Sequence, residues 1–241
     1  MRFGQRATAR VALSVFGVLA VLYFANMGIG YYQASQMQLS VLKPSRFTVF
    51  GFPAREMEER RWKILITHEV PKVVEVLREV DFERPEFGME DQQNFRRVPM
   101  EEVMRTLPVV LTEQHIEKVW VEHREAETLR AQRKYHIVHL RLTREGRARL
   151  WHYARQQVAR SRALGEKPRD ERLLLVVGEQ PWAAPIISSE VASSWWLMSR
   201  FSMLQSSDVQ IFPIYDEEIA NTIAQGFEEA KQKAVATAGA I

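Results

Sequence analysis

From Val11 to Tyr32 the chain carries no charged side chain, and its few polar residues do not gather on one face. A helix needs roughly 20 apolar residues to cross the hydrocarbon core of a bilayer. A buried helix of that length in a water-soluble protein would show a polar stripe. The pattern therefore predicts a transmembrane helix over 11–32, with Tyr31 and Tyr32 at an interface that favours aromatic rings. The apolar run is too long for a secretory signal, and the residues after it give a poor cleavage match near Ala34. Arg2, Arg6 and Arg10 precede the span, and the next basic residue is Lys43. Positive charge stays on the cytoplasmic side. Residues 1–10 are thus expected in the cytoplasm. The bulk of the chain is expected in the periplasm or an equivalent space, as a single-pass protein of the inner membrane. An Arg-rich organelle-targeting start has the same look.

Beyond the span the periods shorten. Residues 33–45 read as a stalk, followed by a small α/β membrane-proximal region over 46–107. There "RFTVFGF" and "WKILIT" are strand candidates, rich in β-branched and aromatic residues, with a charged turn or short helix between them. Val70, Val73, Val74, Leu77 and Val80 fall at helical spacing after Pro71, which predicts an amphipathic helix. Residues 83–99 read as a polar loop, and "MEEVMRTL" as a short helix.

Residues 108–232 read as the main domain, and 233–241 as a flexible tail. Thr112 is a cap candidate for one helical turn, which a short strand through Trp120 follows. "REAETLRAQRK" reads as a charged connection. "YHIVHLRL" puts Val138, Leu140 and Leu142 on one strand face, with His139 and Arg141 on the other. Thr143 can cap a helix whose apolar side is Leu150, Trp151, Ala154 and Val158. "ERLLLVVG", "AAPIIS" and "SSDVQIFPI" are strand candidates. Asp216 caps a last helix in which Ile219, Ile223 and Phe227 recur at spacing four. The fold class is α+β, a mostly antiparallel sheet with helices packed on one face.

Composition narrows the function. The 241 residues carry 26% charged and 46% hydrophobic side chains, ordinary values for a folded chain. The net charge of +3 is too small to imply nucleic acid as a partner. There is no Cys, which excludes disulfides, thiolate metal sites and a Cys nucleophile. The His residues form no helical zinc spacing: His115 and His123 are eight apart, and His136 and His139 point to opposite faces of a strand. There is no glycine-rich phosphate loop and no nucleophile elbow. The expectation is no enzyme, no cofactor and no metal site.

The order "LRLTREGRARL", "LLLVVGEQPWAAPII", "VQIFPIYDEEIANTIAQGF", with "VVLTEQHIEKVWV" upstream, resembles the head of the first periplasmic domain of the SecD protein-export family. Glu145 and Gly146, Gly178, and Pro185 stand at its turns, and the likeness covers about Val109 to Glu229. It implies a SecD-head-like fold and a non-catalytic interaction module with unfolded polypeptide among its partners. The SecD motor has several membrane helices, whereas this chain has one span with no ionisable residue, so the motor function does not carry over. Residues 192–205, "ASSWWLMSRFSMLQ", sit where that family has a short link, and they read as an insertion.

Two surfaces are candidate contacts. Trp195, Trp196, Leu197, Met198 and Phe201 either form a docking site for a membrane protein complex or fold back on the sheet. On the helix after Thr143, Arg144, Arg155 and Arg162 align within roughly 20°, with Arg147 on the same side. That face either solvates the domain or meets acidic lipid headgroups or an acidic partner surface. The sequence thus predicts an accessory or scaffolding subunit docked on an integral membrane complex, or a polypeptide-binding factor assisting export or assembly.

Overall fold

A computed structural model describes residues 2–37, 39–67, 74–80, 94–128, 131–189 and 208–238. Helix α1 runs over Arg2–Gln36. Its Ala12–Gln33 portion has a mean hydropathy of 1.9 and is almost wholly unburied until its last residues, so by length and composition it is long and apolar enough to cross a membrane. Leu13 and Phe16 on it are about three-quarters exposed.

The remainder is α+β and antiparallel throughout its described strand pairs. Strand β1 (Phe47–Phe52) lies between β5 (Val109–Thr112) and β8 (Glu171–Val177). The other edge of β8 is shared by β9 (Gln180–Ala183) and β10 (Ile186–Ile187). The 8-to-9 hairpin turns at Gly178, whose φ of +66° suits glycine. A second sheet orders β11 (Asp208–Ile214), β7 (Ala131–Leu142) and β6 (Ile116–Thr128). A third joins β2 (Trp62–Ile66), β3 (Val74–Val80) and β4 (Asn94–Arg97). Helices α2 (Ala54–Glu59), α3 (Met100–Thr106), α4 (Arg144–Ala163) and α5 (Glu217–Ala238) and the 3₁₀ turn Glu113–His115 complete the described elements.

Every residue of β1 is buried, and β8 is buried through Leu173–Val176, so both faces of this sheet are covered. One face meets the long helices. Phe47 packs edge-on to Phe227 of α5 at 5.4 Å, and Val177 sits where a side chain at Gly226 would be. Gly51 on the same face lets the Tyr153 ring of α4 come against the strand backbone. The opposite set, Phe50, Leu174 and Val176, belongs to the same core cluster as Met57, Trp62, Val76 and Val103. Phe47–Phe52, expected in the membrane-proximal region, is thus central to a sheet built mainly from the later half of the chain.

Three expectations change. The helix predicted from Val74, Leu77 and Val80 is the strand β3; Val70 and Val73 lie outside the described residues. In β3 the buried pair is Val74 and Val76, a period of two that the helical spacing concealed. The polar loop over 83–99 ends in β4. The charged connection after His123 is no connection: β6 and β7 continue to Thr128 and Ala131 as one long hairpin. The described residues accordingly form three antiparallel sheets where one was expected.

Candidate functional site

Helix α4 begins as its sequence dictates. The Thr143 hydroxyl accepts from the Gly146 backbone N–H at 3.0 Å, and Glu145 sits in the positive first turn. Arg160 and Arg162 occupy the last turn, and the chain leaves through Gly165 at φ +71°. Trp151, Ala154 and Val158 face inward, as their spacing predicts, while Leu150 is half-buried.

The end of α1 and the residues after it lie along this helix. Tyr31 meets Trp151 edge-to-face at 5.5 Å, Arg144 donates to the Gln33 side chain, and Met37 packs on Ala148 and Trp151. Arg149 is buried and donates to the Ser40 carbonyl and hydroxyl, both at 3.0 Å, and to Glu145 at 2.9 Å. The segment read as a stalk, residues 33–45, is therefore a neck fastened to the head.

An open groove of about 650 Å³ is lined by Ser35 from the end of α1 and by Trp151, His152, Arg155, Gln156 and Arg162 of α4. Arg155 and Arg162 are exposed, and the Arg155 guanidinium lies 6.0 Å from the Trp151 ring centre. Of the four Arg predicted to form a face, Arg155 and Arg162 share this groove. Arg144 binds the neck, and half-buried Arg147 is not among the lining residues. Trp195, Trp196, Leu197, Met198 and Phe201 lie outside the described residues.

Beside the neck, His115 closes a capping box: its Nδ1 accepts from the Thr112 N–H at 3.2 Å and lies 2.9 Å from the Thr112 hydroxyl. Its Nε2 is 3.5 Å from Glu145. Burial, seconded by the Arg149 charge, pushes the His115 pKa down, while the Arg149 hydrogen bond holds Glu145 low. The hydroxyl–imidazole–carboxylate order is that of a nucleophile relay. Here, however, Thr112 and His115 are both buried, at 5% and 4% exposure, and both serve the cap. Gly146 is required beside them, because any side chain would strike the His115 carbonyl, 2.2 Å from the position of its Cβ.

The hairpin holds two further groupings. On its outer face Trp120 stacks on His139 at 4.8 Å, with Arg141 and Lys118 over the ring at 5.1 and 5.8 Å. Glu122 accepts from Arg124 at 2.7 Å and from His139 at 2.8 Å, and these bonds, Arg124 first, lower its pKa. On the inner face His123 pairs across the ladder with His136, their Nδ1 atoms 2.8 Å apart, and Glu217 joins them from α5. Spacing along one strand could not find this trio. The pairing became legible only with the hairpin register, which the charged arms hid.

The chain matches no family model, no curated protein and no solved structure.

Proposed function

We propose that the protein is a non-catalytic, single-pass accessory subunit whose extracytoplasmic head docks on a larger complex of the inner membrane. The observation that carries this reading is the fastening of the apolar helix to α4. Tyr31, Gln33, Met37 and Ser40 all contact that helix, so the groove bearing Arg155 and Arg162 opens within a few residues of the end of the span. Cations beside a bilayer surface meet acidic headgroups and the acidic rims of neighbouring membrane proteins. The three Arg before the span support a cytoplasmic amino terminus and an external head.

The test is mild solubilisation of the full chain, with quantification of co-purifying membrane proteins. A constitutive subunit brings down a fixed set in constant ratio, and Arg155→Glu with Arg162→Glu depletes it while the chain melts as before. Recovery of the full chain alone, or of the same set with the double variant, refutes the docking face. Protease added outside spheroplasts should digest the region after residue 45; protection there overturns the orientation.

One observation supports a second reading, a polypeptide-binding factor similar to the SecD head. Strand β6 ends its sheet's order, so its outer edge has no strand partner among the described residues. An extended chain can add to such an edge through main-chain hydrogen bonds. Binding of unfolded polypeptide by the purified chain, without a fixed set of membrane partners, would favour it.

A further inference from the structure

We infer that His123, His136 and Glu217 form a binding site for a borderline divalent transition metal, of which Zn²⁺ is the type. Three elements of the fold bring the ligands together independently. His123 on β6 and His136 on β7 are direct cross-strand partners. Opposed residues on one face have Cβ atoms roughly 4.5–5.5 Å apart, so their rings must meet. They do so at 4.9 Å between centroids and nearly perpendicular, at 84°. Strand β11 pairs along β7 as far as Ile214, opposite His136. The chain then turns through Tyr215 and Asp216 and starts α5, which sets Glu217 beside the two imidazoles.

One potential ligand atom from each residue lies within 4.8 Å of the other two. A tetrahedral ion with bonds of about 2.1 Å holds its ligands about 3.4 Å apart. The imidazole nitrogens at 2.8 Å must open slightly, and the carboxylate already lies within 4.8 Å of both. His136 is buried and sets the position, while His123 and Glu217 are exposed and free to adjust. Without metal, one Nδ1 must donate to the other, so each ring presents that atom to its neighbour.

The donor set selects the metal. Imidazole nitrogen suits Zn²⁺, Cu²⁺, Ni²⁺ and Co²⁺, whereas Mg²⁺ and Ca²⁺ take oxygen ligands. Three protein ligands leave a position for water or for a side chain from a partner. Bound metal would clamp the hairpin to the start of α5. The positive end of that helix acts against a cation, and the Glu217 and Glu218 carboxylates in its first turn offset this. The site rests on hairpin register and is independent of the docking reading.

The experiment uses the full chain in detergent, without a histidine tag, after chelator treatment. Co²⁺ is titrated by visible absorption, Zn²⁺ by competition, and Mg²⁺ serves as the control cation. The expected result is saturable binding of one Co²⁺ per chain, displaced by Zn²⁺ and untouched by Mg²⁺. His123→Ala should weaken it by more than the roughly 10–100-fold typical for losing only an outer-shell partner. Glu217→Gln should weaken it and His139→Asn should leave it unchanged. His123 is exposed, so its variant should melt like the parent in chelator, which separates ligand loss from unfolding. No saturable binding, or equal binding by the His123 and His139 variants, overturns the site.

Discussion

Gly51→Ala tests whether α4 is seated on the central sheet as described. A methyl carbon at Gly51 would lie 2.3 Å from Tyr153 Cε2, 2.5 Å from Cζ and 2.8 Å from the hydroxyl oxygen. Carbon atoms rest about 3.5–4.0 Å apart, so the ring must withdraw by more than about 1 Å. Neither side can yield easily. Tyr153 is buried on a helix held by Ala154 and Val158, and the Gly51 N–H donates to the Pro108 carbonyl at 2.9 Å. Overpacking of this kind costs about 1–3 kcal/mol. Against it stands the ordinary gain of about 0.5–1 kcal/mol when Ala replaces Gly inside a strand. The clash wins, leaving a net loss of roughly 1–2 kcal/mol. For a chain of this size that lowers Tm by roughly 2–8 °C. The assay is thermal unfolding of the full chain in mild detergent, followed by near-ultraviolet circular dichroism. The decisive arm is a double-mutant cycle. On a Tyr153→Ala background, itself destabilised by about 3–5 kcal/mol, Gly51→Ala should be neutral or stabilising. If Gly51→Ala raises Tm, or costs the same on both backgrounds, the ring does not lie over this strand.

Leu174→Ala should cost about 2–5 kcal/mol, because Leu174 is wholly buried in β8; a melt unchanged within error would remove that strand from the core. Stability should also fall on acidification through the His115 site. Burial and Arg149 hold its folded pKa below the ordinary 6.5, so the unfolded chain binds the proton more readily. That contribution is complete above pH 6.5 and is lost as pH drops through the folded value. His115→Gln should flatten the profile of Tm against pH on the acid side, and an unaltered slope would show that another group titrates there.

How much of this fold is legible in the sequence depends on whether a segment's apolar period survives beside its neighbours. The period is clear where one face gathers most of the apolar side chains. Ile219, Ile223 and Phe227 at spacing four, and Val138, Leu140 and Leu142 at spacing two, are all in the core. It fails at β3, where the spacing of Val70, Val73, Val74, Leu77 and Val80 fits a helix while the buried residues of the described strand are Val74 and Val76. Five Val between Val70 and Val80 argue for a strand on propensity, and that evidence points the right way. It fails differently in the hairpin. From Arg124 and Lys134 outward the two arms are charged on both faces, so no apolar alternation marks them, although they pair residue by residue to Thr128 and Ala131. Missing the arms meant missing the register, and with it the encounter of His123 and His136. A metal-ligand set spread over two strands and a helix has no one-dimensional spacing to recognise.

The same distinction separates the neck from an ordinary linker. Residues 33–45 are polar and short-sided enough to read as a tether, and composition alone leaves the head free to swing. Arg149 changes that. A guanidinium inside a protein is costly unless its donors are met, and removing a partner from such a group is worse than never burying it. Glu145 meets Arg149 from within α4, and among the described residues the remaining bonds go to Ser40, which belongs to the chain leaving the span. For the neck to detach, the guanidinium must lose both Ser40 bonds and Met37 must leave Ala148 and Trp151. Detachment thus carries a polar and an apolar cost together, at Met37 and Ser40 on one side and Ala148, Arg149 and Trp151 of α4 on the other. The head is consequently held in one orientation relative to α1, and the arginine groove keeps its place beside the end of the apolar span. The proposed docking surface needs no motif of its own, because the position of the groove is set by what the neck must satisfy.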